Sequence, residues 1–116
     1  MNALELEFHQ DMLDAIRRCR EEISYNPVYW CRLVAEHGGV VAARLLLQGP
    51  PCSDGFIRLW KERRLDLSAE FALLLPKYHS IFSDAERTEA RRRLEAHRFD
   101  VDAHLSQITN ATGGRP

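Results

Sequence analysis

The sequence predicts an all-α fold, a compact orthogonal bundle of about five to seven helices, and three stretches carry that expectation. The first is Ser53 to Tyr78, where capping residues and closely spaced large apolar residues alternate with turns. The second is the chain start, where apolar residues recur at three- and four-residue steps. The third is Ser83-Asp84-Ala85-Glu86, an S-x-x-E capping box whose end residues can each satisfy the other's orphan backbone donor.

In chain order, Phe8, Met12, Ala15, Ile16, Cys19 and Ile23 define the buried face of a first helix over Ala3 to Ser24. Asn26 is the expected N-cap of a second helix, with Pro27 at its first position and Tyr29, Trp30, Leu33 and Val34 inward. That helix should end at His37, with Gly38 as a left-handed C-terminal cap and Gly39 permitting a tight reversal. Val40 to Leu47 is then a short apolar helix whose only charge is Arg44, and Gln48 to Ser53, with Gly49, Pro50 and Pro51, cannot be helical.

Ser53 or Asp54 caps the next helix, which places Phe56, Leu59 and Trp60 on one face and Arg58, Lys61, Arg63 and Arg64 around the rest. Leu65 and Leu67 point inward from a turn, and Asp66 or Ser68 caps a helix from about Ala69 that Pro76 stops after Leu75. Tyr78 and Phe82 cover the core, and the capped helix continues to about His97 or Phe99 with Ala90 and Leu94 inward and its arginines toward the end. A last helix follows over Asp100 to Ile108. The expected core centres on Trp30, Trp60, Phe56, Phe71 and Leu73 to Leu75.

A chain of 116 residues is one domain by length, here residues 1–109, followed by a tail over 110–116 containing Gly113 and Gly114. It carries a net charge of −1, which disfavours nucleic-acid binding driven by bulk charge. Three cysteines without a CxxC pair argue against a disulfide framework or zinc ribbon and point to a reducing compartment, the cytoplasm. The sequence has neither a signal-peptide pattern nor a membrane-spanning run, so no membrane association is expected.

Five histidines and three cysteines show no ligand spacing, so no metal and no cofactor are expected. A Cys52 and His79 dyad lacks an orienting third group, which places a thiol- or His-dependent enzyme third among the readings. Gly38 and Gly39 follow a helix where a phosphate loop would open one. A helix-turn-helix over Pro27 to Leu47 would offer a groove only Arg44 and Gln48.

Arginine placement is the informative non-structural feature. Arg58, Lys61, Arg63 and Arg64 on one helix and Arg87, Arg91 and Arg98 on another would merge into a basic surface if the helices are adjacent, with Tyr78 and His79 at its edge. The competing explanation is that these arginines pair with Glu62, Glu89 and Glu95 on their own helices. The leading expectation is a protein-binding module without catalytic activity; the runner-up is nucleic-acid binding through the same residues. The apolar stripe on the first helix also suits a homodimer.

Three segments, EHGGVVAARLLL, SDGFIRLWKERRLDLSAEFALLL and FSDAERTEARRRLEAHRF, occur in that order. In them the chain resembles a family of small, uncharacterised bacterial all-helical proteins, the resemblance running from about Phe8 to Phe99. It implies a stand-alone helical fold found in bacterial genomes and their mobile elements, and with that setting a modulator or inhibitor of a phage-defence complex. It transfers no catalytic residue. One departure is Arg98, which stands where that family often has glycine.

Overall fold

Seven α-helices and two 3-10 turns make up the computed structural model, which describes residues 2–112, with side chains over 2–108. Among the described residues there is no strand, and no helix is long and apolar enough to cross a membrane. The fold is the all-α bundle that the sequence predicts.

Helix α1 (Ala3–Ile23) opens on a second capping box: the Asn2 side chain accepts the Glu5 N–H and the Glu5 carboxylate accepts the Asn2 N–H. Phe8, Met12, Ile16 and Cys19 form its buried stripe, as their spacing requires. Helix α2 (Val28–His37) differs at its start from expectation, since Pro27 is the cap and Val28 the first helical residue. Its Trp30, Leu33 and Val34 are buried, whereas Tyr29 is 58% exposed and does not belong to the apolar face.

The two glycines between α2 and α3 (Gly39–Gln48) do different work from the expected cap and reversal. Gly38 has φ 84° and ψ 163°, a conformation outside the left-handed helical region and closed to residues with a side chain. Gly39 is already helical and is small because α1 leaves no room: a Cβ there would lie 2.7 Å from the Cα of His9. The Gly39 N–H donates to His9 Nδ1 at 2.9 Å, so an orphan donor of the new helix is satisfied by the element it packs against.

Helix α4 (Asp54–Lys61) is capped by Ser53 and buries Phe56 and Leu59. Trp60, expected at the centre, is 44% exposed. On the helical circumference Leu59 falls about 60° to one side of Phe56 and Trp60 about 40° to the other. The Trp60 indole stands edge-on to the His97 ring at 5.3 Å. Leu65–Leu67 is a 3-10 turn with both leucines buried, and Ser68 caps α5 (Ala69–Ala72).

Helix α5 is shorter than expected, and Leu74 and Leu75 are only half-buried. The bonds from the Leu74 N–H to Phe71 and from the Leu75 N–H to Ala72 already span three residues, and Leu75 is extended at ψ 133° ahead of Pro76. The second 3-10 turn, Pro76–Tyr78, is pinned to α1: Tyr78 is fully buried against Phe8 with its hydroxyl donating to Asp11, and Lys77 pairs with Glu7 at 2.8 Å.

Helix α6 (Asp84–Ala96) carries the predicted capping box, with Ala90 and Leu94 inward. Arg44 ties it to α3 through Glu86 at 2.9 Å and the Ile81 carbonyl at 2.7 Å. Helix α7 (Val101–Thr112) runs beyond the expected Ile108, taking in residues 110–112 of the expected tail, while residues 113–116 lie outside the described part.

Candidate functional site

The seven predicted cations divide into paired and unpaired groups. Arg58 donates to Glu62 at 2.9 Å and to the Ile23 carbonyl at 3.2 Å, and Arg64 pairs with Glu22 at 2.8 Å and Asp66 at 3.1 Å. Both therefore lean on the C-terminal end of α1. Arg87 is held by Asp84 and the carbonyls of His79 and Phe82, and Arg91 by Glu95 at 3.3 Å and Asp102 at 3.2 Å. No ion pair among the described residues joins these two groups. The own-helix pairing read from the sequence thus accounts for Arg58 and Arg91, and equally for Arg92 with Glu89.

Lys61, Arg63 and Arg98 are exposed and make no ion pair among the described residues. Two of them share an unusual backbone. Arg63 has φ 59° and Arg98 φ 60°, each at a helix end closed by a six-residue bond, from the Arg64 N–H to the Leu59 carbonyl at 2.8 Å and from the Phe99 N–H to the Leu94 carbonyl at 3.1 Å. This is the position at which glycine usually ends a helix.

The ends of α4 and α6 meet through His97. Its ring stands edge-on to Phe56 at 5.0 Å and to Trp60 at 5.3 Å. Its Nδ1 lies 3.1 Å from the Arg93 carbonyl, a hydrogen bond that places a proton on Nδ1, and its Nε2 lies 3.9 Å from Cys52 Sγ. The Cys52 and His79 dyad, disfavoured by the sequence, is not among the contacts of the described residues. Cys52 lies beside His97, because Arg93 holds the preceding loop to α6, whereas His79 lines a shallow hollow of about 420 Å³ with Arg87 and Arg91.

Arg93 is the residue the sequence reading missed. The helix dipole accounts for an arginine late in α6 but not for its burial, and Arg93 is 4% exposed. Its guanidinium donates to the carbonyls of Leu46, Leu47 and Gly49 at the end of α3, to Glu89 at 2.7 Å and to Glu70 at 3.4 Å. Burial pushes the Glu70 carboxyl above the usual range, opposed by Arg93. The signal was present, since Ala90, Arg93, Leu94 and His97 share one helical face.

A separate apolar cleft of about 360 Å³ opens between α2, the end of α3 and α4. Tyr25, Tyr29, Trp30, Leu46, Pro50 and Phe56 form much of its wall, with Asp54, Ser68 and Glu70 as polar members. Gly55 is confined here, because a Cβ would stand 3.0 Å from the Tyr25 hydroxyl. The Trp30 indole N–H is buried with no hydrogen-bond partner. The run Tyr25-Asn26-Pro27-Val28-Tyr29-Trp30, read only for its cap and face, is the sequence counterpart of this wall.

Compared with known protein families, curated proteins and solved structures, the chain matches none.

Proposed function

We propose that this chain is a protein-binding module without catalytic activity, and that its contact surface lies where the C-terminal ends of α4 and α6 meet. The observation that carries the proposal is the pair Arg63 and Arg98, both left-handed, both exposed and both without an ion pair among the described residues. A left-handed non-glycine residue costs about 1–2 kcal/mol. An exposed cation at a helix C-terminus recovers about 0.3–1 kcal/mol. The balance is unfavourable within the chain and is offset by an external partner.

Trp60, exposed beside His97, supplies the apolar anchor, and Lys61 extends the charge. The partner suited to this set is an acidic protein surface with an apolar recess. Arg58, Arg64, Arg87 and Arg91, already engaged, add long-range potential more than contacts. Nucleic acid, which could stack on Trp60, is the second reading. The cytoplasm is the proposed compartment. On the family resemblance alone, the setting is a mobile element and the partner a component of a phage-defence complex.

The test is affinity capture from nuclease-treated bacterial lysate with the natural chain and with an Arg63→Gly, Arg98→Gly double variant. The variant is expected to be the more stable protein and to lose the captured partner. Retention of the partner by the variant rejects this surface. Capture of nucleic acid alone, weakening steeply between low and moderate salt, replaces the protein-binding reading with the second one.

A further inference from the structure

We propose that Cys52 is a reactive thiol, with His97 as the base that takes its proton, and that it forms mixed disulfides with small-molecule disulfides. Cys52 is exposed, so a reagent reaches its sulfur from solvent. His97 Nε2 lies 3.9 Å from Sγ, at hydrogen-bonding distance for sulfur. The ring is fixed on its other side, because Nδ1 donates to the Arg93 carbonyl at 3.1 Å while Phe56 and Trp60 stand edge-on at 5.0 and 5.3 Å. A neutral imidazole with its proton on Nδ1 carries the lone pair on Nε2, the nitrogen beside the thiol.

Arg93 sets both halves of the pair. Its carbonyl orients His97, and its buried guanidinium, donating to the Gly49 carbonyl at 3.0 Å, holds the loop that carries Cys52. This is the orienting third group that a Cys52 and His79 pairing lacked. The other two thiols are placed differently. Cys19 is wholly buried, and burial pushes its thiol up to about 11. Cys31 is half-buried, and its sulfur accepts from the Arg20 guanidinium at 3.4 Å, a cation that cannot take a proton.

In the reaction the Cys52 proton passes to His97 Nε2 and the sulfur attacks one sulfur of the disulfide. A new S–S bond forms as the old one breaks, and the leaving thiolate takes up the proton from His97. Cys52 is oxidised, the small disulfide is reduced to one thiol and one adduct, and the reaction stops at one adduct per chain. The assignment goes beyond the partner surface proposed above and does not depend on it. The two adjoin at His97, so a group added to Cys52 lies beside the ring that borders Trp60.

The experiment treats the full chain with excess bis(hydroxyethyl) disulfide, which is uncharged, at neutral pH and follows the adduct on each cysteine by peptide mass spectrometry. A free thiol is only a few per cent thiolate at neutral pH, so a base that takes its proton has room to accelerate the reaction about tenfold. Cys52 is expected to react about tenfold faster than Cys31 in the native chain, and about tenfold faster than Cys52 itself in the urea-unfolded chain. His97→Phe keeps a ring against Phe56 and Trp60 but removes the lone pair. It should slow Cys52 about tenfold while the Cys31 rate stays within about twofold, a selectivity that a general loosening of the fold does not produce. His97→Gln repeats the comparison if the first variant does not fold, and the native against urea-unfolded comparison needs no variant. A Cys52 rate no higher in the native chain than in the unfolded one, or unchanged in a folded His97 variant, overturns the proposal.

Discussion

Arg93 does the work of a helix cap from a distance. The last carbonyls of a helix lack partners in the ladder; at the half-buried end of α3 the Gly49 N–H serves those of Leu45 and Leu46, and a further donor comes from outside the helix. Arg93 reaches Leu46, Leu47 and Gly49 and is itself balanced by Glu89 and Glu70. Arg93→Ala removes the cation from a buried pair and takes its donors from the Leu47 and Gly49 carbonyls, while the Leu46 carbonyl keeps the Gly49 N–H. It should destabilise the fold by about 3–5 kcal/mol, read as a lower urea midpoint with an unchanged slope. Gly39 is the second such residue. Gly39→Ala puts a methyl group 2.7 Å from the backbone of His9, so the α1 and α3 contact must open, at a cost of about 1–3 kcal/mol. Gly49→Ala, whose Cβ would meet nothing nearer than 3.5 Å, is the matched control and should fall within about 0.5 kcal/mol of the natural chain.

At the scale of elements, the serine caps and the proline stop were legible because they are local, whereas the Asn26 cap and the Gly38 conformation were not as expected. Ser53, Ser68 and Ser83 each accept the N–H three residues on, and Pro76 acts on the residue beside it. What was not legible depends on which element comes to lie opposite. Trp60 follows the spacing of a core residue but is 44% exposed beside His97, and Arg93 has the chemistry of a surface residue but meets the end of α3. The candidate cations show the same division: own-helix pairs follow from spacing, whereas the pairing of Arg64 with Glu22 and of Arg91 with Asp102 needs the tertiary neighbour. The left-handed ends of α4 and α6 give a prediction at this scale. Arg98→Gly relieves the φ of 60° at a position with no ion pair among the described residues, so it should stabilise the chain by about 0.5–1 kcal/mol, seen as a rise of a few degrees in Tm. A fall in Tm would show that the Arg98 side chain contributes more to the fold than its backbone strain removes.

For the whole molecule, 16 basic and 17 acidic side chains leave almost no net charge, and the consequence lies in where the pairs sit. Exposed pairs such as Arg17 with Glu21 are weak and screened, so stability at neutral pH should change little with salt. Glu22 and Glu89 differ because each bridges two arginines. Hydrogen bonds from Arg18 and Arg64 hold the Glu22 carboxyl down to about 2, and those from Arg92 and Arg93 do the same for Glu89. Glu22 thereby joins α1 to the turn after α4, while Glu89 supports the arginine that caps α3. Their folded-state values lie below those of the unfolded chain, so between about pH 4.5 and 2 the unfolded chain binds more protons. Stability contributed by these two groups is fully present above that window and is lost as pH falls through it. Urea unfolding measured from pH 6 to pH 2 should therefore show a progressive fall beginning near pH 4.5. A Glu89→Gln variant should start from a lower stability at pH 6 and lose less on acidification. If the variant and the natural chain fall in parallel, Glu89 is not a source of the acid sensitivity, and the loss must come from other carboxylates.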